Sequence, residues 1–122
     1  MSQVVLVEDD ALFVKMYQKK FSKEGISLEV ALDGEAGFNK IKEVKPDLAI
    51  LDLMLPKMSG TEVLRKIRSD ESLKEIPVII MTNLNASSDE VNQAMELGVK
   101  ETVLKTDVVP EKIVETARKY LK

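Results

Sequence analysis

The chain of 122 residues contains no histidine, no cysteine and no tryptophan. Without histidine there is no Ser-His-Asp triad, no Cys-His pair and no imidazole general base. Without cysteine there is no disulfide framework, iron–sulfur cluster or thiolate zinc site. Any metal must therefore be held by oxygen, which favours hard cations such as magnesium, calcium or manganese. Aromatic residues are only 4% of the chain, so the core must be mostly aliphatic. No apolar run approaches the roughly 18 residues of a membrane span. The start, Met1-Ser2-Gln3, runs straight into Val4-Val5-Leu6-Val7 without the charged segment and cleavage site of a signal peptide. A cytoplasmic location is expected, and the lack of cysteine points the same way.

What is present suits one globular domain spanning 1–122. A chain of this size buries about two-thirds of its unfolded surface, enough for a self-standing core. Lys plus Arg number 18 and Asp plus Glu 21, a net charge of −3, which argues against a nucleic-acid-binding module with its usual basic face.

Two textures alternate along the chain. Short, β-branched apolar runs at Val4–Val7, Leu48–Leu51 and Val78–Met81 read as buried strands. Ser27–Val30 and Glu101–Leu104 alternate apolar with polar residues, as expected of sheet edges with one wetter face. Between them lie helical spacings: Phe13, Val14, Tyr17 and Phe21; less regularly Ala36, Ile41 and Val44; then Val63, Leu64 and Ile67; Val91, Ala94 and Met95; and Ile113, Ala117, Tyr120 and Leu121. Gly25 and Gly98 stand where the first and fourth helices should stop, and Pro110 where the last should start. Five strands alternating with five helices predict an α/β doubly wound parallel sheet, a flavodoxin-like (βα)5 unit with strand order 2-1-3-4-5.

The chemistry lies at the strand ends. The first strand runs into Glu8-Asp9-Asp10, the third into Asp52, the fourth into Thr82-Asn83 and the fifth into Lys105-Thr106. A parallel sheet places all these carboxyl ends on one edge, with strands 1 and 3 adjacent at the switch point. Glu8, Asp9 and Asp52 should converge there, with Thr82 on a flank and Lys105 beyond it. Three carboxylates together are costly unless protons or a cation relieve them, and magnesium is the expected cation. The metal reverses the local charge and lets the crevice receive a phosphoryl group. Asp52 is then a candidate nucleophile, with Lys105 and Thr82 as partners for the phosphoryl oxygens.

Each residue also has an ordinary role available. Asp9 or Asp10 can cap a helix, Thr82 can bond its own loop, and Lys105 can be a solvated lysine. Asp52 ends an apolar strand four residues before Pro56 and shows no structural task in the sequence. The joint occurrence favours a site, because acids, hydroxyl and amine each fall at a different strand's carboxyl end.

Through Val7-Glu8-Asp9-Asp10, Leu51-Asp52 with Pro56 and Gly60, Met81-Thr82 and Leu104-Lys105, the sequence resembles the receiver domain of two-component response regulators, most closely the single-domain chemotaxis type. The resemblance runs from Val4 to about Leu121. It implies a phosphorelay function, in which Asp52 accepts a phosphoryl group from a histidine kinase or phosphotransfer protein. It also implies Mg2+ (Mn2+ as substitute) held by Glu8, Asp9, Asp52 and the backbone carbonyl of Met54, with Asp9 the more direct ligand of the acidic pair. Thr82 then matches the switch hydroxyl and Lys105 the phosphate-pairing lysine. The resemblance further implies that an effector protein docks on the face of helix 4, strand 5 and helix 5. A monomer, no output domain, no nucleic acid, no membrane, and no enzymatic activity beyond self-phosphorylation and self-dephosphorylation are the accompanying expectations.

Three positions depart from the family's pattern. Thr102 occupies the place of a rotameric aromatic, so the usual ring swing is missing. Thr106 follows the lysine where proline, often in a cis bond, is usual; a non-proline cis bond costs about 2.5–4 kcal/mol, so trans is expected. Asn83 replaces a small residue beside Thr82. Met54 and Leu84 flank the acceptor at positions that tune hydrolysis in the family, and their apolar side chains predict a long-lived phosphoryl state. Two rival readings compete with this one. A haloacid-dehalogenase-like phosphatase needs a second aspartate where Met54 stands, and a degenerate receiver binds partners without phosphorylation. A flavodoxin is a further rival, but its phosphate loop is not acidic as this one is, and no GxGxxG or P-loop appears.

Overall fold

In the computed structural model, which describes residues 3–84 and 88–121, the alternation of side chains along each strand divides the apolar residues between two cores. The strands are β1 (Gln3–Val7), β2 (Ser27–Ala31), β3 (Leu48–Leu51), β4 (Val78–Thr82) and β5 (Glu101–Leu104). They form one parallel sheet in the order β2-β1-β3-β4-β5, as the sequence predicts. Successive side chains point to opposite faces. Val5, Val7, Ala49, Leu51, Val78 and Ile80 pack on one side with the helices α2 (Gly34–Val44), α3 (Gly60–Ser69) and α4 (Asp89–Glu96). Val4, Leu6, Leu48, Ile50, Ile79 and Met81 pack on the other with α1 (Ala11–Lys23) and α5 (Pro110–Arg118). Central β1, β3 and β4 are almost wholly buried, whereas β2 and β5 are half-buried, which explains their wetter pattern.

Local chemistry sets the helix ends. Asp10 caps α1, its Oδ1 accepting from the Leu12 and Phe13 N–H groups at 3.0 and 3.3 Å. Asp33, Ser59 and Ser88 cap α2, α3 and α4 in the same manner. Pro110 starts α5, and Gly25 and Gly98 take φ of +73° and +77° just after α1 and α4. Among the described residues no peptide bond is cis, so Lys105-Thr106 is trans, as expected.

The weak apolar pattern of α2 has a physical cause. Its buried face consists of Gly34, Gly37 and Ile41. A Cβ on Gly37 would lie 2.6 Å from a Val7 methyl, and one on Gly34 would lie 1.7 Å from the Met58 carbonyl oxygen. The helix approaches the sheet and the β3–α3 loop through absent side chains, which a hydrophobicity pattern does not register. Gly60 does the same at the start of α3, where a Cβ would lie 2.2 Å from the Asp52 carbonyl oxygen. Gly34→Ala should cost about 1–3 kcal/mol by overpacking against backbone. Gly25 has open space around it, so Gly25→Ala should cost only the left-handed strain of about 1–2 kcal/mol. Urea unfolding of both variants checks the ranking, and an unperturbed Gly34→Ala would contradict the close approach.

Candidate functional site

The sheet register brings the polar residues together. Val7 of β1 pairs with Leu51 of β3, so Glu8 and Asp52, one residue further, lie side by side. The Asp52 N–H donates to the Val7 carbonyl at 3.1 Å and the Glu8 N–H to the Ala31 carbonyl at 3.0 Å, carrying the ladder one step past the strand ends. Thr82 pairs with Leu104, which places Lys105 just beyond it. Glu8, Asp9 and Asp52 each offer a carboxylate oxygen within 4.8 Å of the others. Glu8 and Asp52 are buried and Asp9 is exposed, so the crevice opens to solvent at Asp9.

Lys105 is part of this cluster. Although its strand is third from β1, its side chain reaches back across the edge. Its Nζ lies 2.5 Å from Glu8 Oε1 and 3.2 Å from Asp52 Oδ2. It also lies 4.6 Å from the centre of the Phe13 ring, a cation–π contact from the first turn of α1. Burial raises the Glu8 carboxyl above its ordinary value, against the opposing pull of Lys105 and the Asp10 N–H; the Asp52 charge adds to the rise. Burial favours the neutral form of Lys105, but Glu8 and Asp52 outweigh it and hold the ammonium above its usual range. Burial, with the charge of Glu8, pushes the Tyr17 phenol up to about 12, so it stays protonated.

One lysine does not neutralise three carboxylates. Glu8 Oε1 is buried and meets only the Lys105 ammonium, which leaves it lone pairs for a further cation. An all-oxygen donor set with residual negative charge fits a hard divalent cation. Asp52 also has a structural role that its sequence position does not reveal. Its Oδ1 accepts the Met54 N–H at 3.1 Å and so shapes the start of the β3–α3 loop. Asp10, by contrast, is committed to capping α1.

The remaining candidates surround this centre. Thr82 is buried, and its hydroxyl accepts the Leu84 N–H at 3.3 Å. Met54 and Asn83 are exposed, and Leu84 and Thr102 half-buried. A cavity of about 60 Å3 lies beneath α4, lined by Thr82, Leu84, Val91, Thr102, Val103 and Leu104. The short Thr102 side chain thus borders open space shared with Thr82 rather than filling it. The contribution of Phe13 was invisible in the sequence, where it reads only as one apolar position of α1.

A parallel α/β sheet with an acidic crevice at its switch point defines the class of fold, and comparison with known proteins defines the family. The model of the response regulator receiver domain matches residues 4–118. The chain belongs to the response regulator receiver domain family and is a phosphorelay signalling module. It is 29% identical over 118 residues to the polar-differentiation response regulator DivK of Brucella anthropi, covering 97% of this chain and 94% of that one. It is 35% identical over 103 residues to the transcriptional regulatory protein YclJ of Bacillus subtilis, covering 84% of this chain and 44% of that protein. The chain therefore spans less than half the length of that regulator, and 39% of the transcriptional regulator ycf27 of Guillardia theta. The fold matches that of the chemotaxis response regulator CheY4 of Vibrio cholerae with a TM-score of 0.88 at 24% identity, covering 99% of both chains.

The charge balance of the crevice is testable. Lys105→Met leaves two buried carboxylates without their cation, and removing one partner from such a cluster costs about 3–5 kcal/mol. Urea unfolding without divalent cations should show that loss, and millimolar magnesium should recover part of it. Lys40→Met, which removes a surface ion pair with Glu29, should change little. Equal stability of the Lys105 and Lys40 variants would contradict the buried triad.

Proposed function

We propose that Asp52 accepts a phosphoryl group from a phosphohistidine carried by a histidine kinase or phosphotransfer protein. The observation that carries this reading is the joining of Glu8, Asp9 and Asp52 into one cluster, with the Lys105 ammonium 3.2 Å from Asp52. Glu8, Asp9, Asp52 and the Met54 carbonyl are the groups that would hold Mg2+, or Mn2+ in its place. The cation, when bound, offsets the charge of the incoming phosphoryl oxygens.

This chain's residues divide the remaining work. A carboxylate oxygen of Asp52 attacks phosphorus. The phosphorus–nitrogen bond breaks, and the donor imidazole leaves with the electron pair, taking a proton from solvent. These 122 residues contain no histidine, so the donor histidine lies outside them. Lys105 exchanges its contact with Asp52 Oδ2 for one with a phosphoryl oxygen. Thr82 donates its hydroxyl to another and in doing so gives up the bond from Leu84. Freed of that bond, Leu84 and the first turn of α4 can move into the space beside Thr102. The effector then reads the face formed by α4, β5 and α5. Among the described residues no helix is long and apolar enough to cross a membrane.

The phosphatase reading of the haloacid dehalogenase type lacks its acid–base residue, since the exposed Met54 stands in that place. A receiver that binds partners without phosphorylation is the alternative that the chemical test separates. Incubation with acetyl phosphate and magnesium should add one phosphoryl group, read by intact mass. The gain should disappear in Asp52→Ala and without the metal. A gain that survives Asp52→Ala overturns the assignment, and none in the parent chain leaves the binding-module reading.

Hydrolysis of the product is a separate question. Met54 is 63% exposed, and Leu84 flanks Thr82. Their apolar side chains hinder a water from lining up behind the phosphorus. Met54→Asn and Leu84→Glu should therefore shorten the phosphoryl lifetime, measured by phosphate release. Equal rates in the parent chain and both variants would sink this expectation.

A further inference from the structure

Phosphoryl acceptance as described leaves one contact of the site without a task, the ring of Phe13 against Lys105. Glu8, Asp52 and Lys105 each stand two residues past Leu6, Ile50 and Val103, side chains of the core on the α1 side. The alternation of side chains therefore turns all three toward α1. Its first turn presents Phe13 to them, with the ring centre 4.6 Å from Lys105 Nζ. Tyr17, one turn further along and only 1% exposed, packs on the same ring with centroids 5.4 Å apart. Phe13 thus leans on a fixed core side chain. It is itself half-buried, so its ring stands between the ammonium and solvent on that side.

Two other lysines provide the comparison. Lys42 and Lys66 lie over the ring of Phe38 at 5.9 and 5.3 Å. Both are exposed, and such contacts are weak because water competes for the charge. Lys105 is nearer its ring and its side chain is only 7% exposed. That is the desolvated case, in which the attraction is about twofold stronger or more. An ammonium has three N–H groups. Glu8 and Asp52 take one each, and among the described residues no third oxygen meets this lysine. A ring attracts the charge without offering the fixed lone pair of a carboxylate or amide. The ammonium is therefore held in place, yet no strong acceptor competes with an incoming phosphoryl oxygen for its third N–H.

We propose that Phe13 is a positioning residue for phosphoryl acceptance, its ring keeping the Lys105 ammonium dry and in place while the contact with Asp52 Oδ2 is exchanged for a phosphoryl oxygen. The proposal rests on the reading of Asp52 as the acceptor. Phe13 touches neither the acceptor nor the donor and acts through Lys105. Without the ring, water reaches the ammonium from the α1 side and takes the third N–H. The charge is then partly screened, and its field at the developing phosphoryl charge weakens.

The test compares Phe13→Leu, Phe13→Tyr and Phe21→Leu in the full chain, using acetyl phosphate at saturating magnesium with intact mass followed in time. Phe13→Leu should slow acceptance about fivefold, the rate equivalent of one desolvated cation–π contact. Phe13→Tyr keeps the π face and should restore most of that rate. Phe21→Leu removes a ring from the same helix where it is fully buried in the core on the α1 side. It should lower stability and leave the rate alone. In NMR spectra of the unphosphorylated chain, the ring current of Phe13 should move the Lys105 ε-methylene protons upfield of those of the other lysines. That displacement should vanish in Phe13→Leu and persist in Phe21→Leu. A parent-like rate in Phe13→Leu, equal slowing by Phe21→Leu, a tyrosine variant as slow as the leucine variant, or an undisplaced Lys105 methylene would each overturn the proposal alone. No acceptance by the parent chain would defeat Asp52 as acceptor, and the proposal would fall with it.

Discussion

A lysine held between two buried carboxylates is the contact on which the rest of the site depends. Burial drives Glu8 towards its neutral form and would do the same to Lys105 alone. Held 2.5 Å apart, with Asp52 alongside, each gives the other a reason to stay charged. Buried ion pairs of this kind are not a cheap source of stability, because desolvation offsets much of the attraction. Their value here is a polar centre built into an otherwise aliphatic sheet edge. Phe13 screens the ammonium from the α1 side, and Asp9 remains at the solvent boundary.

The sheet supplies the positions for that contact. Three consecutive strands in space, β1, β3 and β4, are buried on both faces and held in register by parallel ladders. Their ends are therefore rigidly placed. Gly60 lets α3 start against the backbone of Asp52 and Leu53, and Gly34 lets α2 meet the following loop. Asp52 is thus clamped by close backbone packing, while the side of the site facing α4 is looser. A cavity lies there under Leu84 and Val91, and a single bond from Leu84 holds the Thr82 hydroxyl. A closely packed Asp52 beside a looser neighbour is an arrangement in which a change at the crevice can alter the α4 face.

Much of this was legible in the residues. The five strands, their order, the edge character of β2 and β5, and the meeting of Glu8, Asp9 and Asp52 all follow from apolar period and the rule that parallel strands end on one edge. Asp10 proved to be the helix cap, one of the ordinary roles open to that acidic run. Two features were not legible. The glycine face of α2 carries no hydrophobic signal, because the packing there is backbone against backbone. Asp52 showed no structural task in the sequence, yet it also organises the loop through the Met54 N–H. That bond depends on where the chain turns after β3.

The sequence by itself determined the alternation of strands and helices, the caps, the sheet order and the set of acids, hydroxyl and amine on one rim. These are local or topological properties, carried by side-chain period and by the chirality of crossovers. Only the tertiary structure decided that Lys105 spans β4 and β3 to reach Glu8, that Thr61 is left with an unused hydroxyl, and that Thr102 borders a void. These depend on the reach of single side chains and on residual space between packed elements. Such quantities arise from the sum of many contacts distant in sequence, and no pattern along the chain records them.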